Sequence, residues 1–434
     1  MTKPPMLTAQ QALDHLLSNA KAVGECETVT MQAALGRVLA ENVNSLVDVP
    51  PLDNTSMDGY AVRSADTQIP GSILKIAQRI PAGSMGTQLE PGTAARIFTG
   101  APVPPGADAV VMQEDCATPE GSADQVQVNI APTSGQWIRR RGEDLTAGKT
   151  ALSAGTFLRP QELGVAASAG LTHLNVKRKV RVAAFFTGDE LSLPGEPLKP
   201  GGIYNSNRDT LLACIKSLGC DATDFGIVPD SLEATKETLR KASKDHDLII
   251  TSGGVSVGEE KDHDLIITSG GVSVGEEDHI KPAVTAEGRL DLWQIGIKPG
   301  KPLAFGAVRK SDDQNSNAVP AETWFIGLPG NPVSSFVTFL LFVRPFILKL
   351  QGRDAGMPQS YPMRADFDWL KGDRRNEFLR VKINAQGGLD LFPNQSSGVL
   401  TSASWGDGLV DCPPGATFNA GDMVKYIPFS ALLS

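Results

Sequence analysis

The chain has 434 residues, more than one hydrophobic core organises, and length alone suggests about three domains of ordinary globular composition. Its 40 Lys and Arg stand against 49 Asp and Glu, a net charge of −9, which excludes general nucleic-acid binding through a basic excess but leaves local lysines free to hold a small anion. Five scattered cysteines (Cys26, Cys116, Cys214, Cys220, Cys412) include no CxxC pair, which excludes a zinc or disulfide framework and points to reduced thiols.

The first run, MTKPPMLTAQQALDHLL, lacks a basic region followed by an apolar core, so no secretory signal is expected. The longest apolar stretch, Phe336–Val343, stops at Arg344-Pro345 and is too short to span a bilayer. No membrane contact and a cytoplasmic location are expected. Thr8 and Gln11 form a capping box ahead of Ala12, Leu13, Leu16 and Leu17 at helical spacing. A second helix is predicted over Thr30–Glu41. From Val47 the text turns rich in Gly and Pro, with β-prone runs at Ala95–Phe98, Ala109–Met112 and Gln125–Ile130. These features predict a discontinuous helical or linker domain over 1–46 and 149–178, with a β-rich domain inserted at 47–148.

From Val180 the rhythm becomes strand, loop, helix. Strands are predicted at Val180–Phe186, Thr223–Ile227, Leu248–Thr251 (or its copy Leu265–Thr268), Lys298–Phe305 and Trp324–Ile326. Helices are predicted at Arg208–Ser217, at Leu232–Ala242 behind Asp230 and Glu233, and from Val333. Apolar strands alternating with helices predict a doubly wound parallel α/β sheet over 179–350. Strand-like text at Phe378–Ile383, Leu389–Phe392 and Met423–Ile427 predicts a C-terminal β domain over 351–434. The fold class is therefore multidomain α/β.

Within that sheet, Lys244–Glu260 reads KDHDLIITSGGVSVGEE, and Lys261–Glu277 repeats it without a change. Only one copy can take the strand position. An extra segment on the amino side of the strand would lie away from the ligand edge and cost little closure entropy. Leu265–Gly275 is therefore expected to form the working strand and loop, with Lys244–Glu260 extruded.

Ligands of open parallel sheets bind beyond the carboxyl ends of the strands. Four loops fall there: Thr187–Glu190, Val228–Asp230, the SGGVSVG loop and Gly327–Pro332. Ser269, Gly270, Gly271 and Ser273, with Gly327, Pro329, Gly330 and Asn331, suit close backbone approach to a phosphate. Asn331 as N-cap and Pro332 at N1 would make that helix start an oxyanion site. Glu190, Asp230 and Asp278 offer hard oxygen ligands suited to Mg²⁺. Lys298 and Lys301 in KPGKP can hold negative charge, although such a turn is also an ordinary solvated surface. Asp58 and Thr99 flank tight turns in the β-rich segment. Arg139–Arg141 in RRRGED read first as an ion-paired surface stretch. Neither GxxxxGK[ST] nor a GxGxxG after a strand is present.

The runs DNTSMDGYAV, GTAARIFTGAPVPPGAD, TSGGVSVG, KPGKP and GLPGNP, in this order, resemble the molybdopterin molybdenumtransferase family, whose animal relative is the C-terminal half of gephyrin. The resemblance implies an elongated homodimer of four-domain subunits that converts adenylylated molybdopterin and molybdate, with Mg²⁺, into molybdenum cofactor and AMP. It implies Asp58 and Thr99 acting from the partner subunit. It also implies Glu190, Asp230 and Asp278 around the metal, Lys298 and Lys301 on substrate or molybdate oxygens, and Arg375 and Ser397 as substrate contacts. A molybdopterin adenylyltransferase and molybdoenzyme-maturation proteins would be transient partners. Gln294 departs from the resemblance, standing where relatives often carry a basic side chain. The alternatives are a gephyrin-like scaffold, which a fused adenylylating domain would favour, and an adenylyltransferase-type enzyme, against which the Asp58 and Thr99 segments argue.

Overall fold

The computed structural model describes residues 6–253, 279–310 and 321–432. Two compact units emerge, Met1–Glu25 with Lys177–Ser434, and Cys26–Val176.

The larger unit is built on a six-stranded sheet in the order Asp221–Val228, Arg181–Thr187, Leu248–Ser252, Glu322–Leu328, Pro302–Arg309, Gly288–Gln294. The first four strands run parallel, as their apolar text requires. Pro302–Arg309 runs against both of its neighbours, Glu322–Leu328 and Gly288–Gln294. Phe305, Ile326, Leu328, Phe342 and Phe346 share one core with Leu13 and Leu16 of the first helix, Ala9–Asn19. That helix keeps its capping box, with the Thr8 hydroxyl accepting from Gln11 N at 3.2 Å and Gln11 Oε1 accepting from Thr8 N at 3.0 Å. It therefore packs with the α/β sheet.

The central strand corrects the expectation about the repeat: Leu248–Ser252, from the first copy, holds the position between Arg181–Thr187 and Glu322–Leu328. Continuity explains the choice. The helix Leu232–Asp245 runs into the first copy through Lys244 and Asp245, and only His246 and Asp247 connect it to the strand. Asp247 then seats the strand, accepting from Arg178 Nη1 and Nη2 at 2.7 and 2.8 Å and from Arg181 N at 2.8 Å. Taking the second copy instead would interrupt this two-residue join. Leu265–Gly275 lies outside the described residues.

Three other expectations change. The predicted strand Lys298–Phe305 is two strands, Ile297–Lys298 and Pro302–Arg309, split where Pro299 lacks a donor and Gly300 takes φ +116°. The apolar stretch after Asn331 does not stop at Pro345. Pro332–Thr338, a π turn at Phe339–Val343 and Arg344–Leu350 form one continuous helix of 19 residues with mean hydropathy 1.7, and 83% of its apolar window is buried inside the protein. The π turn just before Pro345 absorbs a residue that cannot donate to the helix ladder.

The smaller unit carries a six-stranded sheet, in the order Ala109–Met112, Gly59–Val62, Thr93–Ile97, Ser72–Ile80, Gln125–Val128, Cys116–Ala117. Instead of a helix over Thr30–Glu41 there is a single 3₁₀ turn, Gln32–Ala34. Gly36 (φ +73°) breaks the run, and the amides of Gly36 and Leu39 donate to the carbonyls of Leu158 and Thr156. A C-terminal sheet orders Ile297–Lys298, Asn376–Ile383, Gly408–Cys412, Met423–Pro428 and Tyr361–Arg364, so the KPGKP turn is stitched into the last domain.

Candidate active site

Three strand ends converge at the carboxyl edge of the large sheet. A Cβ on Gly253, whose φ is +103°, would meet Thr187 O at 2.2 Å, so only glycine allows that approach. Ser252 Oγ donates to Pro329 O at 2.8 Å, and Asn207 Nδ2 donates to both Gly330 O at 2.7 Å and Ser252 Oγ at 2.9 Å. Asn207, which the sequence did not single out, thus braces the GLPGNP loop against the central strand. Its only sequence signal was a polar residue early in a helix.

Beside this junction lies a cavity of about 390 Å³, lined by Lys298, Lys301, Pro329, Gly330, Asn331 and Arg375, and by Ser334, Gln395, Ser396 and Ser397 among others. Six site residues expected from sequence thus line one space with Ser397. Gly327 does not join them; it sits inside Glu322–Leu328, paired with Thr251 and Ala304. Gln294, at the end of Gly288–Gln294, is also absent from the lining. Asn331 occupies the cap position, but its side chain makes no cap bond, and Val333 N donates to Ser397 O at 2.9 Å. The helix start is partly spent on the C-terminal domain rather than left open to an anion.

The two lysines differ. Register puts Lys298 opposite Glu377, and its Nζ pairs with Glu377 at 2.8 Å and Asp373 at 3.3 Å. Burial pulls the Lys298 pKa down, but these carboxylates more than offset it and the net shift is upward. Glu377 is 3% exposed and also accepts from Trp369 Nε1 at 3.2 Å. Arg375 folds onto Asp373, with Nε and Nη2 at 3.0 and 2.9 Å, which holds the Asp373 carboxyl far below the usual range. Lys301 makes no ion pair among the described residues, so its charge faces the cavity unneutralised. Behind Ser396, the guanidinium of Arg380 is buried with no ion pair among the described residues and donates to Ser402 Oγ and Phe378 O at 3.1 Å; burial lowers its pKa to about 10.

A second feature is acidic. Ser231, not Asp230, caps the helix Leu232–Asp245. Asp230 is left to accept from Asp189 N at 3.3 Å. Burial first, then the charges of Asp189 and Glu190, push the Asp230 pKa up. Thr187 Oγ1 nearby is buried without a hydrogen-bond partner among the described residues. Hard oxygen donors gathered against their own repulsion fit a hydrated Mg²⁺. Among the described residues no group of three acidic, His or Cys side chains could hold a metal by itself. Asp278, the third expected ligand, lies outside the described residues, as do Ser269, Gly270, Gly271 and Ser273.

In the smaller unit, Asp58 Oδ1 accepts from Thr99 N at 2.8 Å and Thr99 Oγ1 at 2.7 Å. These bonds depress its pKa, helped by Arg96. Arg140 pairs with Asp53 and Arg141 with Asp48, each at 2.6 Å, so both are ion-paired as expected, though to aspartates far back in the chain. Burial raises the thiol pKa of Cys116, Cys214, Cys220 and Cys412 to about 12, which makes them poor nucleophiles.

Comparison with known proteins agrees along the whole chain. The MoeA N-terminal region (domain I and II) matches residues 7–170, a probable molybdopterin binding domain matches 183–260 and 259–349, and the MoeA C-terminal region (domain IV) matches 362–429. The middle domain is matched in two pieces that meet where the copies join. A molybdopterin molybdenumtransferase of Haemophilus influenzae is 37% identical over 89% of this chain and 89% of its own. One from Nostoc sp. is 35% identical over 91% and 86%. A crystal structure of a molybdopterin biosynthesis MoeA protein from Pyrococcus horikoshii aligns with a TM-score of 0.79 at 27% identity, covering 98% of this chain and 100% of that one. The chain belongs to the molybdopterin molybdenumtransferase family, transferases of molybdenum cofactor biosynthesis.

Proposed function

We propose that this protein inserts molybdenum by transferring molybdate to adenylylated molybdopterin, with release of AMP and dependence on Mg²⁺. The observation that carries the reading is the cavity in which Lys301, Arg375 and the Ser396–Ser397 turn surround a space closed by the glycine-rich Pro329–Asn331 loop. Its cations and hydroxyls suit a small tetrahedral oxyanion. Lys301 supplies the uncommitted charge. Lys298 is a positioning group, tying the KPGKP turn to Glu377 and Asp373.

Glu190 and Asp230 would hold Mg²⁺, which when bound neutralises charge on the phosphoanhydride oxygens. The dithiolene sulfurs of the substrate take the molybdenum, and among the described residues no cysteine lines the cavity. We further propose a cytoplasmic homodimer in which Asp58 and Thr99 act from the partner subunit, as the family resemblance implies. A subunit mass by light scattering would overturn the dimer.

The deciding experiment follows AMP release from adenylylated molybdopterin with molybdate and Mg²⁺. Lys301→Ala is expected to raise the KM for molybdate at least tenfold, about 1.4 kcal/mol, with the fold intact. An unchanged KM would remove the cavity from the molybdate path.

A further inference from the structure

We propose that the exposed face of the smaller unit's sheet, at Arg79 and Arg96, is a binding site for a phosphoryl group. The strands Ser72–Ile80 and Thr93–Ile97 run parallel, and their register sets Arg79 directly beside Arg96. Like charges in direct cross-strand register repel. Here both contact one ring: Arg79 lies over Phe98 at 5.0 Å from its centroid and Arg96 at 4.7 Å. Tyr60, opposite Arg96 on the next strand, takes the same guanidinium at 5.1 Å.

Neither cation has a carboxylate within ion-pair distance among the described residues. Arg96 is aimed by two bonds, Nη1 to Gly59 O at 3.1 Å and Nη2 to Gln113 Oε1 at 2.6 Å, which leave its remaining N–H groups unused. The side chain of Arg79 makes no hydrogen bond or ion pair among the described residues and is exposed. Two planar guanidiniums in register form a fork for a doubly charged tetrahedral group. Phe98 leads straight into Thr99, whose hydroxyl and N–H hold Asp58. The arginine pair therefore sits at the root of the loop that carries the Asp58–Thr99 pair.

The ligand class is a phosphate ester or pyrophosphate. The proposed function enters only in suggesting that the phosphate belongs to an adenylylated substrate. The test is calorimetric titration of the full chain at low salt with inorganic pyrophosphate and, separately, with AMP. Wild type is compared with Arg79→Ala, with Arg79→Lys, and with Lys301→Ala as the control for the other cavity. Arg79→Ala is expected to weaken pyrophosphate binding at this site at least tenfold and its salt dependence with it. Its melting temperature should hold or rise, because a like-charge contact is removed. Arg79→Lys should recover part of the binding, and Lys301→Ala should remove only binding that Arg79→Ala leaves in place. Binding of AMP as tight as pyrophosphate would assign the site to a nucleotide, whereas pyrophosphate alone would assign it to the phosphoanhydride. Equal affinities in wild type and Arg79→Ala would overturn the proposal, whatever the AMP-release assay shows. An inactive enzyme that keeps Arg79-dependent binding would overturn only the functional reading.

Discussion

Trp137 holds φ at 54°, in the left-handed region where a bulky side chain is strained, and its carbonyl fixes Ser56 by accepting from the amide at 3.0 Å and the hydroxyl at 3.1 Å. Ser56 stands two residues before Asp58, so the strained backbone helps set the loop that presents that carboxylate. Glycine carries no Cβ penalty there. Trp137→Gly is therefore expected to be more stable than Trp137→Ala by about 1 kcal/mol, the reverse of their order in a helix interior. Urea midpoints would show it; equal midpoints would mean that the backbone is not held left-handed. At this scale the KPGKP turn, Pro329–Asn331, Arg375 and Ser397, all singled out from the sequence, line one cavity. What could not be read was which lysine stays free, because Glu377 reaches Lys298 only through strand register. Nor could the unneutralised arginine pair be read, since Arg79 and Arg96 meet only once the sheet forms.

Among the elements, those with long apolar or periodic text were legible, and those decided by long-range backbone bonding were not. Ala109–Met112 and the start of Leu232–Asp245 match their predicted limits, because turn residues and a capping serine bound them. Thr30–Glu41 has helical spacing, yet the amides of Gly36 and Leu39 find Leu158 and Thr156. The central strand offers a pH-dependent check. Burial works to raise the Asp247 pKa, but the bidentate Arg178 contact and the Arg181 amide outweigh it, so the folded value lies below the ordinary 3.8. A depressed carboxyl stabilises above its unfolded pKa, and that stabilisation is lost as pH falls through the folded value. Asp247→Asn is expected to cost about 3 kcal/mol at pH 7. The gap from wild type should close below about pH 4 in pH-resolved urea melts. With the strand position held by the first copy, Asp264→Asn should move the midpoint far less. Equal losses at the two positions would contradict the observed register.

For the whole molecule, the first-copy register puts the second copy in sequence between Gly253 and His279, on the carboxyl side of the central strand where the site lies. The expectation of an insertion remote from the chemistry therefore reverses. Because the copies are identical, removing either yields the same chain. That single-copy chain is expected to release AMP at least tenfold faster, as it shortens the tether from Ser252 to Asp278. Equal rates would show that the extra segment leaves the site unhindered. The fold class was legible because β-rich and α/β text differ in periodicity. The winning copy was not, because identical sequences carry identical propensities and only their attachment to the preceding helix separates them.

That attachment also has an order in time. During synthesis the strand Arg181–Thr187 is made first, and Leu248–Ser252 is the first partner of its kind to reach that open edge. The second copy arrives at a seat already taken. Refolding from denaturant removes this head start, since both copies then meet the edge at once.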